Sequence, residues 1–276
     1  MDTPDRQPVA VHTLPARRIS TTEPPASSRE ESVGVIAEAP LLIDVENVGK
    51  YTVLCTPVDR RYLAVGFLFS EGIIASMDEV ALLRECEDDS DVVRVKLADK
   101  VTDKNVRPTE MRRNLVILSS CGACGSEEFA QNLKALPGVG NRLHIQAVML
   151  RTALDEISRN QPLFEACGGA HWAGIFDAGG KLLACAEDAG RHNALDKAIG
   201  KCLCHGIPFA GCWAALSGRV SLEMVGKCAR AGLELIAAIS APTSLAVETA
   251  ERCGITLCAF VRENRATIFT HAGRIV

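Results

Sequence analysis

The sequence predicts an α/β protein of the α+β kind, a mixed sheet with helices on both faces, preceded by a smaller N-terminal α+β lobe. Five apolar runs of strand length, at 170–176, 182–186, 213–217, 235–240 and 256–261, alternate with stretches of helical period at 194–204, 222–231 and 244–252. Strands that alternate with helices build a sheet covered on both sides. Ahead of them lie shorter alternating runs that suit a hairpin. With 276 residues, 47% of them hydrophobic and 23% charged, the chain can bury a core large enough for both parts.

Residues 1–33 are rich in Pro, Ser, Thr and charge and lack apolar periodicity, so burial cannot offset the entropy of ordering them; they read as a disordered tail. The small lobe then covers 34–113. Within it, runs at 41–45 and 51–55 flank a turn over Asn47 to Lys50, and a short helix from Arg60 ends near Glu71-Gly72, whose glycine suits a left-handed cap. A strand over 92–97 precedes a polar, Arg-containing stretch over 98–114, and that composition shift sets the boundary, leaving 114–276 as the second domain. This domain opens with a strand at 115–118 and the loop Cys121-Gly122-Ala123-Cys124-Gly125. Helices follow at 127–136, stopped by Pro137-Gly138, and at 147–160, with Gln161-Pro162 behind.

A net charge of -4 gives no general attraction to nucleic acid or anionic membrane, so phosphate must be bound by a local site. The first 33 residues contain no apolar core of signal-peptide length and no later segment is long enough to cross a bilayer, so the expected location is cytoplasmic. Twelve cysteines agree with a reducing compartment, because Cys55, Cys185, Cys228, Cys253 and Cys258 sit in apolar runs as small buried residues.

Three chemistries compete for Cys121 and Cys124: half of a structural zinc site, a thioredoxin-like redox pair, or a nucleophile that carries sulfur. Zinc needs a second pair, and Cys202-Leu203-Cys204-His205 lies within a predicted helix without knuckle spacing; no structural zinc is expected. A redox pair of the thioredoxin kind starts a helix, which glycines interrupt. Sulfur transfer therefore leads, because a thiolate on a pliable loop can meet first a donor and then an acceptor.

The segment from Glu187 to Lys197 concentrates charge ahead of a helix, where Arg191 and the helix start suit a phosphate and Asn193 suits a cap. Ser217-Gly218-Arg219 repeats strand, turn, arginine and helix start, and here too a capped helix with a solvated arginine competes with anion binding. His171 reads as a hydrogen-bonded core residue and Cys167 as a small buried one. At the end, Phe260, Val261, Arg262, Glu263, Asn264 and Arg265 turn from an apolar strand into a charged tip, which either grips phosphate or a base, or keeps an edge strand soluble.

Five motifs taken together are familiar: CGACG at 121–125, GFLFSEGII at 66–74, EDAGRHNALDK at 187–197, SGRVSLEMVGKCARAG at 217–232 and SAPTSLAVETAERCGITLCAFVREN at 240–264. In that order they resemble the formate dehydrogenase accessory sulfurtransferase family of the FdhD/NarQ type, over nearly everything after the tail. The resemblance implies a homodimeric cytoplasmic sulfur carrier that takes sulfur from a cysteine desulfurase. The acceptor it implies is the molybdenum or tungsten bis-guanine-dinucleotide cofactor of formate dehydrogenase, with a GDP-like nucleotide as a mimic. It also implies that Cys121 bears the persulfide, that Cys124 assists or relays, and that 260–265 bind the cofactor. The catalytic half of the family resembles the cytidine deaminase fold, but the deaminase zinc signature is absent here, so that chemistry is not expected. Cys167 stands where family members often carry threonine. A non-catalytic cofactor-binding chaperone and a dithiol oxidoreductase are the alternatives.

Overall fold

The computed structural model describes residues 9–22, 28–86, 91–99, 115–117 and 135–276. Five strands form the N-terminal sheet in the order β5-β6-β3-β4-β7: β3 (Ala39–Val45), β4 (Gly49–Cys55), β5 (Val80–Glu85), β6 (Val92–Leu97) and β7 (Leu115–Ile117). Leu41, Ile43 and Val45 on β3, with Tyr51, Val53 and Cys55 on β4, alternate inward, as period two requires. Helix α1 (Arg60–Ser70) covers that face.

The second sheet has the order β13-β12-β11-β10-β8-β9, built from β8 (His171–Phe176), β9 (Leu182–Asp188), β10 (Trp213–Leu216), β11 (Leu235–Ala238), β12 (Thr256–Arg262) and β13 (Arg265–Thr270). Strands β10, β11 and β12 run parallel, while β8, β9 and β13 pair antiparallel. It is mixed, as expected, and its central strands are buried on both faces, while the edge strand β13 is largely exposed. Ala173, Ile175, Ala214, Leu216, Ile236 and Leu257 face α4 (Arg191–Cys204), α5 (Leu222–Ala231) and α6 (Ser244–Cys253). The alternate residues Trp172, Phe176, Trp213, Ala215, Leu235 and Cys258 face α2 (Val148–Arg159). Among the described residues no helix is long and apolar enough to cross a membrane.

The two sheets share one core, with α1 packed on α4 between them. Gly66 and Gly200 make that crossing possible: a methyl group on Gly66 would overlap the Asp196 carbonyl, and one on Gly200 the Tyr62 carbonyl.

Three expectations need correction. Residues 1–33 are not wholly a tail, because β1 (Val11–Ile19) and β2 (Ser28–Ile36) form an antiparallel ribbon. Arg17 pairs with Glu30 at 3.3 Å and Arg18 with Glu31 at 2.8 Å, so charges that look solvating in composition are complementary in register. The boundary near 114 also moves, since β7 pairs in parallel with β4 and belongs to the N-terminal sheet. Finally, Pro162 begins a helix as well as following one: α3 (Pro162–Cys167) carries it in the first turn, where a missing N–H costs nothing. The helix expected at 127–136 lies outside the described residues up to 134.

Candidate functional site

The turn between β9 and α4 is held by a buried joint between the sheets. Asp188 accepts from the Gly190 N–H at 2.8 Å and Asn193 Nδ2 at 3.0 Å with one oxygen, and from the Thr56 N–H at 3.0 Å with the other. Lys197 Nζ lies 2.6 Å from Asp188 and donates to the Thr56 carbonyl at 3.0 Å, and neither charged side chain is exposed. Asn193 also donates to the Leu54 carbonyl at 2.8 Å, so it ties α4 to β4 and is not the expected cap. The N-cap is Gly190, with no side-chain cap. Asp196 takes hydrogen bonds from Ser70 Oγ at 2.7 Å and Lys227 Nζ at 2.7 Å. Of the charges in this motif, these are structural, and Arg191 is left at the uncapped helix start.

Arg191 is one member of a cationic cluster. Its Nε is buried and has no hydrogen-bond partner among the described residues. Its pKa is pushed down by burial and then by the Arg219 charge, with Glu223 acting the other way. Gly218 separates Arg191 from His171, since a Cβ there would stand 3.2 Å from both Arg191 Cβ and His171 Nδ1. Burial, followed by the Arg191 charge, pushes His171 down as well. Glu223 is the counter-charge, held low by a hydrogen bond from His192, whose Nε2 lies 3.0 Å away. Guanidinium groups beside uncapped helical N–H groups concentrate positive charge at this end of α4.

His171 and Ser217 connect this cluster to a cavity of about 610 Å³. One wall is Gly168, Gly169 and His171 at the start of β8; another is Val261, Arg262 and Glu263 at the end of β12; α2 and α3 close the third. Arg262 Nη1 donates to the carbonyls of Ile239 at 2.6 Å and Val261 at 2.8 Å, which fixes the guanidinium at the rim. Phe260 sits in a register irregularity of β12 with φ 52°, a left-handed conformation costly for an aromatic residue, and its ring is 6.3 Å from that of Phe269. Asn264 and Arg265 are exposed at the hairpin and do not line the cavity.

His171 is thus not the expected hydrogen-bonded core histidine: it lines a cavity, and its ring has no hydrogen-bond partner among the described residues. Cys167 is half-buried, with its thiol donating to the Leu163 carbonyl at 2.9 Å. Sequence reasoning missed the α2 and α3 wall, whose polar residues look like an ordinary solvated helix face.

Cys121 and Cys124 lie outside the described residues. Ile117 pairs with Val53 on β4, and β4 leads into Thr56, whose hydroxyl accepts from the Ala189 N–H at 3.1 Å, two residues before Arg191. Among the ten described cysteines, eight have thiols pushed up by burial: Cys55, Cys185, Cys202, Cys204, Cys212, Cys228, Cys253 and Cys258. A raised pKa leaves little thiolate for sulfur chemistry near neutral pH.

Residues 36–276 match the model of the FdhD/NarQ family. A protein named sulfur carrier protein FdhD from Bordetella bronchiseptica is 37% identical over 247 residues, 89% of this chain and 88% of that one. The protein of the same name from Thermoplasma acidophilum is 36% identical over 253 residues, covering 90% and 88%. The crystal structure of a formate dehydrogenase accessory protein from Desulfotalea psychrophila superposes with a TM-score of 0.74 at 25% identity, over 96% of this chain and 99% of the other.

Proposed function

Because the chain belongs to the FdhD/NarQ family, we propose that it is a sulfurtransferase that carries sulfur as a persulfide on Cys121 and delivers it to a molybdenum bis-guanine-dinucleotide cofactor destined for formate dehydrogenase. The observation that carries the acceptor half of this reading is the cationic cluster of Arg191 and Arg219, joined through His171 and Ser217 to a cavity rimmed by Arg262. A cofactor with several phosphates supplies the anions that such a cluster lacks. The residues present fit it: Arg191, Arg219 and Arg262 would hold phosphate, and the cavity would take a ring system.

For the donor half, the Cys121 thiolate attacks the terminal sulfur of a desulfurase persulfide. A new S–S bond forms on Cys121 and the desulfurase cysteine leaves as thiolate. Cys124 can then attack Cys121, releasing the terminal sulfur as hydrosulfide and leaving a Cys121–Cys124 disulfide. The metal's sulfur ligand is what this delivery supplies. We infer further a cytoplasmic homodimer. The order β9-β8-β10-β11-β12 supports a cytidine-deaminase-like arrangement of this half.

The test is incubation with a cysteine desulfurase and cysteine, followed by intact mass measurement. A gain of one sulfur atom is expected, and Cys121→Ala abolishes it. No gain in the wild-type chain, or a full gain in Cys121→Ala, removes Cys121 from the role. Nucleotide binding without sulfur gain would make the chain a cofactor chaperone, and a reversible loss of two hydrogens needing both cysteines would make it an oxidoreductase.

A further inference from the structure

We propose that Asp155, Ser158, Gln161 and Phe164 form a recognition wall for the 2-amino-4-oxopyrimidine edge that guanine and pterin rings share. The proposal deepens the reading above and rests on it, because it concerns the same cavity. Asp155 and Ser158 stand one turn apart on one face of α2, Gln161 follows between α2 and α3, and Phe164 lies on α3. All four line the cavity of about 610 Å³. The side chains of Asp155, Ser158 and Gln161 have no hydrogen-bond or ion-pair partner among the described residues. Elsewhere on α2, Glu156 and Arg159 pair with each other at 3.1 Å. Arg151 on the same helix is also unpaired among the described residues and lies off the cavity, whereas Asp155 and Ser158, exposed and unpaired, line it.

Their chemistry is complementary to one heterocyclic edge. A carboxylate accepts two parallel N–H bonds, and guanine and pterins offer a ring N–H beside a 2-amino group. Next to these is a carbonyl, which the Ser158 hydroxyl or the Gln161 amide can serve as donor. Adenine presents a ring acceptor at that place, which a carboxylate repels, and hypoxanthine lacks the 2-amino group. Phe164 supplies a face for stacking: the residue is 44% exposed, while its backbone is fixed by the Glu187 carboxylate, which accepts from the Leu163 N–H at 2.8 Å and the Phe164 N–H at 2.9 Å. This gives Glu187 a place in the site, as a positioning residue.

Calorimetric titration of the full chain with GDP, IDP, ADP and 6-hydroxymethylpterin tests the assignment. GDP or the pterin is expected to bind at least about tenfold more tightly than IDP and ADP, since a site built for a polar edge rejects ligands that leave it unpaired. Asp155→Ala and the isosteric Asp155→Asn should both abolish that preference, and Phe164→Leu should weaken every ligand about fivefold while preserving the order. Binding of GDP alone assigns the wall to the base, and binding of the pterin alone to the pterin ring; either supports the shared edge. Equal affinity for GDP, IDP and ADP overturns the proposal, as does a GDP preference that survives in both Asp155 variants or the absence of binding by GDP and pterin alike. Sulfur gain on Cys121 is read separately, so a chain that loads sulfur without discriminating the ring refutes this wall and leaves the sulfur reading standing.

Discussion

Arg191 combines a partly buried guanidinium, an Nε with no hydrogen-bond partner among the described residues and a second arginine near enough to depress its pKa. A side chain so placed is least stable when the site is empty of anions, and binding an anion removes both the repulsion and the unmet donor. Arg191→Ala is therefore expected to weaken GDP by about tenfold, the loss of one charge-assisted hydrogen bond. Its second signature is local. His171 is pushed down from an ordinary value of 6.5 by burial first and by Arg191 next, so removing the arginine lets His171 rise toward that value while burial keeps it below. Titration of the His171 ring by NMR in the two proteins measures this, and an unmoved midpoint would separate the two residues. Arg191 was legible in the sequence because a strand, a glycine turn, an arginine and a helix start are contiguous. Asp155 and Phe164 were not, because only tertiary packing turns one polar stripe of an amphipathic helix toward a cavity.

Elements follow the sequence where hydrophobic period decides them: α5 at Leu222–Ala231 and β6 at Val92–Leu97 fall where alternation and helical period set them. The β1–β2 ribbon escapes that signal, since its support is cross-strand charge pairing and the seating of Gly34 against Ala166 of α3, neither of which composition displays. The α1–α4 crossing shows the same limit. Its closeness comes from two glycines 134 positions apart, Gly66 and Gly200, that look unremarkable in their own helices. Ala has the higher helix propensity, by up to about 1 kcal/mol, so an isolated helix would gain from Gly200→Ala. Here the added methyl meets the Tyr62 backbone, which cannot yield without moving α1, and overpacking of about 3 kcal/mol outweighs the propensity gain. Urea denaturation should show a loss of about 2 kcal/mol for this variant. A stabilised variant would mean that the helices separate easily.

At the scale of the molecule, the core that joins both sheets and the smaller one between the second sheet and α2 bury many of the thiols, and this sets its behaviour in alkali. Cys55, Cys202, Cys228 and Cys258 are buried, and their pKa values are pushed up to about 12 from an ordinary 9.0, in each case chiefly by desolvation. A thiol of this kind stays protonated in the native chain at a pH where the unfolded chain has already released the proton. The stabilisation is complete below about pH 9 and is lost as the pH climbs toward about 12, because there the unfolded state binds fewer protons than the folded one. Each such thiol contributes a slope on the order of 1 kcal/mol per pH unit in that window. Cys258 is the cleanest probe, because burial is the sole cause of its shift. Cys258→Ala should be less stable at pH 7, from the void it leaves, yet lose stability less steeply between pH 9 and 11 by about one proton's worth of slope. Thermal unfolding across that range, with wild type and variant in parallel, gives the comparison, and coincident slopes would mean that the unfolded chain keeps this thiol protonated as firmly as the native one.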